Sequence, residues 1–160
     1  MTMSNADMKH RRLWLISTFV AVVVCGLTYL LNKFYLTRSE RKAAIRAVYS
    51  IDSIGAATDP DTVDRLQGAS RTLVALTHIE ALTKKDQQVA AMVDTYFDFT
   101  GSYQSGLNRD SEAARYASDS TLGENERKNW RELAAKSPAA TLGMGKLASD
   151  ERAHLMKELE

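Results

Sequence analysis

Cysteine is nearly missing from this chain: Cys25 is the only one in 160 residues, and it sits inside an apolar run. No intramolecular disulfide can form, and no cysteine-based metal site can form outside that run. Proline is almost as scarce. Pro60 and Pro138 are the only two, so long helices can run without interruption. No Asn-x-Ser/Thr sequon occurs. Neither charge is in surplus: 21 basic residues face 20 acidic ones, for a formal net charge of +1. That balance removes the strongly basic face on which nucleic-acid binding depends. Sustained apolar–polar alternation is also missing, so no sheet is expected. There is no repeat of fixed period and no long low-complexity tract.

What the chain does have is a run from Leu13 to Leu31 with no charged residue and no proline. As a helix at about 1.5 Å per residue it reaches roughly 28 Å, close to the ~30 Å hydrocarbon core of a bilayer. The sequence therefore predicts a transmembrane helix at 13–31, preceded by a short basic tail at 1–12. A cleaved signal peptide is the alternative, but its apolar core is shorter and ends at a small-x-small site, which is missing here. Val22-Val23-Val24-Cys25 approaches a lipoprotein box, with Val24 too bulky for it. Lys9, Arg11 and Arg12 flank the run on one side, and Lys33, Arg38, Arg41, Lys42 and Arg46 follow it more loosely on the other. The raw count favours a C-terminus inside, whereas the tight Arg11-Arg12 flank favours the signal-anchor arrangement. The second is the expectation: a single-pass protein of the cell inner membrane with an extracytoplasmic (periplasmic) C-terminal domain. Within the run, Ser17, Ala21 and Cys25 recur at i, i+4, which allows close approach of a second helix and gives a candidate membrane-helix interface.

The rest reads as all-α, a small helical bundle over 32–136 and then a flexible linker and short terminal helix over 137–160. Ala44, Val48, Ile51 and Gly55 form a narrow seam of coiled-coil type. Thr58-Asp59-Pro60-Asp61 marks a stop and restart, with Thr58 or Asp59 as cap and Pro60 in the first turn. A second helix follows, with Val63, Leu66, Ala69, Leu73 and Leu76 on one side and Ile79 and Leu82 extending it. Lys84-Lys85-Asp86 is either a short break or a continuation. The cleanest pattern is Val89, Met92, Tyr96, Phe99 and Tyr103, spaced 3, 4, 3, 4. Such an aromatic stripe packs into something, either the bundle's own core or a partner. Ser111–Ser120 is helical in type, and 124–136 can form a charged helix with Trp130 and Leu133 inward. Ser137-Pro138 is expected to end it, and Leu147, Leu155 and Leu159 share a face of the last helix.

Little here suggests chemistry. His10, His78 and His154 are isolated, and His78-Ile79-Glu80 lacks the i, i+4 pairing of a helical zinc site. Gly143-Met144-Gly145-Lys146 has part of a phosphate loop, but Ala140 and Leu147 stand where Gly and Ser or Thr are needed. Asp94 and Asp98, at i, i+4, form a carboxylate pair or simply a solvated face. No nucleophile has a base and an orienting third group. The expectation is no enzyme, no cofactor and no metal.

From Met92 the sequence runs MVDTYFDFTGSYQSGLNRDSEAARYASDS. It resembles the third helix and following turn of the four-helix sensory input domain of bacterial chemoreceptors. The matching features are the aromatic helix Tyr96–Tyr103, the polar turn Gly106–Asp110 and the Ala-rich helix Ala113–Ala117. The second span and the signalling hairpin of that family are absent from this sequence. The resemblance implies a sensory input module. The functional expectation is a membrane-anchored helical sensory or accessory protein acting through protein–protein contacts. The alternative is a small structural subunit or assembly factor of a larger membrane complex. Partners would be the membrane and either a second copy or that complex, with no nucleic acid. No small-molecule ligand can be named from the residues.

Overall fold

A computed structural model describes residues 5–34 and 38–160, with side chains described at 14, 17–31 and 38–160. Five helices account for nearly all of this: α1 (Asn5–Phe34), α2 (Arg38–Ala56), α3 (Pro60–Glu80), α4 (Lys84–Ser118) and α5 (Glu124–Leu159). Among the described residues there is no strand, as the lack of alternation predicted.

Each turn has a physical cause in the local sequence. Asp59 caps α3, its Oδ2 accepting from the Thr62 amide at 2.9 Å, and Pro60 opens the helix, where its missing N–H is harmless. Between α3 and α4 the break is real. Thr83 and Asp86 form a reciprocal capping box: the Asp86 amide donates to Thr83 Oγ1 at 3.1 Å, and the Thr83 amide to Asp86 Oδ2 at 2.8 Å. At the start of α5 the Gly123 amide donates to Glu126 Oε2 at 3.3 Å.

From α2 onward the helices run antiparallel in sequence order. Ser39 at the start of α2 donates to Glu80 at the end of α3, and the Ser50 and Ser70 hydroxyls meet at 2.6 Å midway. Lys85 at the start of α4 pairs with Glu158 near the end of α5 at 3.2 Å. The core runs through three of them: Ala44, Ala47, Val48 and Ile51 of α2, Val89, Val93 and Tyr96 of α4, and Ala148, Leu155 and Leu159 of α5. From α3 only Val74 joins this cluster, beside the half-buried Leu73. α3 packs on α2 and α4 but not on α5, which leaves the α3–α5 gap open over α4.

α4 and α5 are 35 and 36 residues long, against 19 and 21 for α2 and α3. Gln104 Nε2 donates to the Gly55 carbonyl at 2.9 Å, so α2 ends beside the middle of α4. Beyond that level α4 and α5 project as a two-helix hairpin. Near its tip the Tyr116 and Trp130 rings lie 5.0 Å apart, with the Arg115 guanidinium 4.6 Å over Tyr116.

Several expectations are corrected. The span at 13–31, and with it the inner-membrane location, is not supported: among the described residues no helix is long and apolar enough to cross a membrane. α1 takes in the charged Asp7, Lys9, Arg11, Arg12 and Lys33. The side chains of the basic flank before Trp14 and of Lys33 lie outside the described residues, as do residues 35–37.

The segment 137–160 is the second half of α5 and supplies Ala148, Leu155 and Leu159 to the core, not a linker and a short helix. Pro138 does not stop α5. Its ring is solvent-facing, and the flanking turns are held to α4 by Ser137 and Thr141, both buried. The turn expected at Gly106–Asp110 lies inside α4, where Gly106 and its neighbours are helical. Ile79 and Leu82 are 74% and 77% exposed, so the α3 stripe stops short of them. Leu147 gives way to Ala148 on the inward face of α5.

Candidate functional site: a groove over the middle of α4

The open α3–α5 gap forms a groove of about 610 Å³. Its floor is α4, where Gly101, Ser102, Ser105 and Gly106 present small side chains or none. α3 supplies Gln67 and Arg71 to one wall, and α5 supplies Ala140, Thr141 and Met144 to the other. Phe97 and Asp98 stand toward one end and Arg109 toward the other.

Glycine sets the depth of this floor. A Cβ on Gly106 would fall 2.7 Å from Thr141 Oγ1 and 2.9 Å from its Cγ2, so α5 comes this close to α4 only because the side chain is absent. One turn further along α5, Gly145 plays the same part for the Tyr103 ring, whose Cε2 lies 2.9 Å from where a Cβ would be. The Gly143–Lys146 fragment is thus helical in α5, and Gly145 is a seat for an aromatic ring.

Two arginines stand at the groove. Arg109 Nε donates to Ser137 Oγ at 3.0 Å, and Arg71 has no hydrogen bond or ion pair among the described residues. Neither guanidinium lies within salt-bridge distance of a described carboxylate, although Asp98 lines the same groove. In the cleft beside Lys85 and His154, by contrast, Lys85 is already neutralised by Glu158.

On the core side of α4, a polar node ties three helices. Arg152 of α5 grips Asp52 of α2 with Nε to Oδ1 and a terminal nitrogen to Oδ2, both at 2.8 Å. The Tyr96 hydroxyl of α4 donates to the same Oδ1 at 2.7 Å. Burial pushes the Asp52 carboxyl up, but the hydrogen bonds from Arg152 and Tyr96 outweigh it and hold it below the ordinary aspartate value. Burial, then the hydrogen bond to Asp52, raises the Tyr96 phenol to about 12. The Asp52 contact raises the Arg152 guanidinium. All three groups stay locked in their usual charge states at neutral pH. This is a staple, with no group poised to exchange a proton.

The sequence-predicted stripe faces inward. Val89 and Tyr96 are buried, and Met92 and Phe99 pack against the same core. Tyr103 is half-buried against Gly145. Ser17, Ala21 and Cys25 are all exposed on α1, far along the chain from these contacts. Asp94 and Asp98 are exposed on α4. His78 and His154 are exposed on separate helices, while the His10 side chain lies outside the described residues. Among the described residues no three metal-ligating side chains gather.

Sequence reasoning passed over Arg71, Arg109, Ser102, Ser105 and Thr141, which come together from three helices. One signal was available. Gly101, Ser102, Ser105 and Gly106 crowd small residues into less than two turns of α4, a pattern that goes with close helix approach.

No protein family, curated protein or solved structure matches this chain.

Proposed function

We propose that this chain is an accessory protein acting through protein–protein contacts, with α1 as its docking element and α2–α5 as its folded body. One observation carries the reading. Every described side chain of α1, Trp14 and the run Ser17–Leu31, is exposed, with Phe19 at 71% and Val22 at 65%. Consecutive helical residues over 17–31 sample every angle around the helix axis. A helix that is apolar all round is at rest only when it is surrounded. The bundle does not do this, since α1 meets only α4 among the described helices.

The occupant that fits is a set of apolar helices in a larger assembly. A second copy alone would bury one stripe of α1 and leave the opposite face bare. Ser17, Ala21 and Cys25 would mark the side where one of those helices comes closest.

The test is site-specific photo-crosslinking in cells, with the probe placed at Val22 and at Val24. These positions are 200° apart around an ideal helix, on opposite faces. Cross-links from both positions to the same partner polypeptide support the reading. Cross-links from one face only, to a second copy of this chain, replace it with a simple homodimer. Cross-links to lipid alone overturn it.

A further inference from the structure

We infer that the α3–α4–α5 groove is a binding site for a small organic oxyanion, a carboxylate or a phosphate ester, carried on an apolar body. The inference concerns the bundle alone and stands whether or not α1 docks as proposed.

Three features carry it. The groove's volume, about 610 Å³, falls in the ~300–1,000 Å³ range of small-molecule sites. Its polar lining is rich in donors. Arg71 and Arg109 can only donate, while Gln67, Ser102 and Ser105 can each donate one or more hydrogens, against a single acceptor-only group, Asp98. Among the described residues neither guanidinium has a carboxylate within ion-pair distance, which leaves both free to meet an anion. A guanidinium presents a planar fork of N–H groups matched to an oxyanion, and charge-assisted bonds of this kind are among the stronger ones in proteins. Phe97 and Met144 add an apolar shelf, which fits a ligand body rather than a bare ion.

The small floor residues give this shape a cause. Gly101 leaves the surface of α4 open where a larger side chain would fill the groove, while Gly106 sets how closely the α5 wall approaches. A Cβ on Gly101 meets only the Gln67 amide, at 3.5 Å. The position therefore tolerates substitution without a clash with backbone, and a long side chain there projects into the groove.

The experiment is calorimetric titration of the whole chain in mild non-ionic detergent with phenyl phosphate and with benzoate. Saturable 1:1 binding of either probe is expected. Arg71→Gln and Arg109→Gln should each weaken it by about tenfold or more, the usual effect of losing a charge-assisted hydrogen bond. Gly101→Leu should abolish it with both arginines intact, while Lys128→Gln, on the exposed side of α5, should leave it unchanged. Thermal melting of each variant separates a lost site from a lost fold. Tighter binding of phenyl phosphate assigns the site to phosphate esters, and tighter binding of benzoate assigns it to carboxylates. No saturable binding of either probe below ~10 mM, weaker than any useful affinity, overturns the inference. So does binding that is indifferent to both arginine substitutions and to Gly101→Leu.

Discussion

α1 and α4 are both long helices with large apolar side chains, yet only one has them buried by its own chain. In α4 the apolar positions recur at intervals of three and four, and Val89, Val93 and Tyr96 are buried while Asp94, Thr95 and Asp98 face water. In α1 the apolar residues follow one another without a period, and every described one is exposed. Hydrophobicity alone therefore does not bury a helix. Periodicity does, because it gives the helix an inside to present and an outside that water tolerates. The bundle leaves the described side chains of α1, which lack that division, uncovered.

The strongest way to break this comparison is to abolish the inside of α4. Val93 is fully buried between α2 and α5 core residues. Val93→Asp would bury an unpaired carboxylate, at a cost of about 4 kcal/mol or more. Domains of this size hold only about 5–15 kcal/mol, so the bundle should be largely unfolded or melt far earlier in urea. A variant melting like the parent would show that α4 has no more of an interior than α1.

Next in size come the two contacts that fix how α4 meets its neighbours. Gly106→Val forces a side chain onto Thr141, whose Oγ1 and Cγ2 lie 2.7 and 2.9 Å from the new Cβ. Overpacking of this kind costs about 2 kcal/mol. Adding Thr141→Ala removes both clashing atoms and should restore part of the loss in denaturant melts. If the double variant is no better than the single, the close approach of α4 and α5 is not what Gly106 provides.

Asp52→Ala removes the acceptor shared by Tyr96 and Arg152 and should cost about 2 kcal/mol near neutral pH, the scale of a charged hydrogen bond with a partner left behind. The pH dependence has a definite sign. The Asp52 carboxyl is held below its ordinary value of 3.8 in the fold, so its contribution is complete above that value and fades as pH falls through the lower folded value. The phenol of Tyr96 is raised to about 12 from 10.0, so its share is complete below 10 and is lost as pH climbs through 12. The gap between parent and Asp52→Ala should therefore be widest between these limits and close at both ends. A gap constant from pH 2 to 7 would mean the staple bears no charge-dependent load.

How far the sequence foretold this molecule depends on whether the deciding physics was local. The Asp59 cap, Pro60 in the first turn, the α2 seam of Ala44, Val48 and Ile51, and the α4 stripe all follow from residues within a few turns of one another, and the structure contains them. Local signals misled where tertiary contacts outweighed them. Pro138 reads as a stop, but Ser137 and Thr141 on either side are buried against α4 and carry the helix through. Gly106–Asp110 reads as a turn, but its glycine is there to admit α5. The Asp52–Tyr96–Arg152 staple spans 100 residues of sequence, and the arginines of the groove come from α3 and α4. No spacing rule joins residues so distant.

The smallest expected effect is the one that isolates α1. Val23 is exposed at 40% on a helix that touches the described bundle only at α4. Val23→Asp should leave the urea midpoint of α2–α5 within about 0.5 kcal/mol of the parent, as for an ordinary surface change. The same substitution placed at Val93 removes the fold, so the pair reads out the difference between the helices directly. The carboxylate introduced by Val23→Asp should meanwhile weaken cross-linking from the neighbouring positions Val22 and Val24, because a charge set against apolar partner helices must be desolvated there without a counter-ion. A drop in bundle stability as large as that from Val93→Asp would place α1 inside the cooperative unit, and the apolar surface it exposes would then be covered from within the chain.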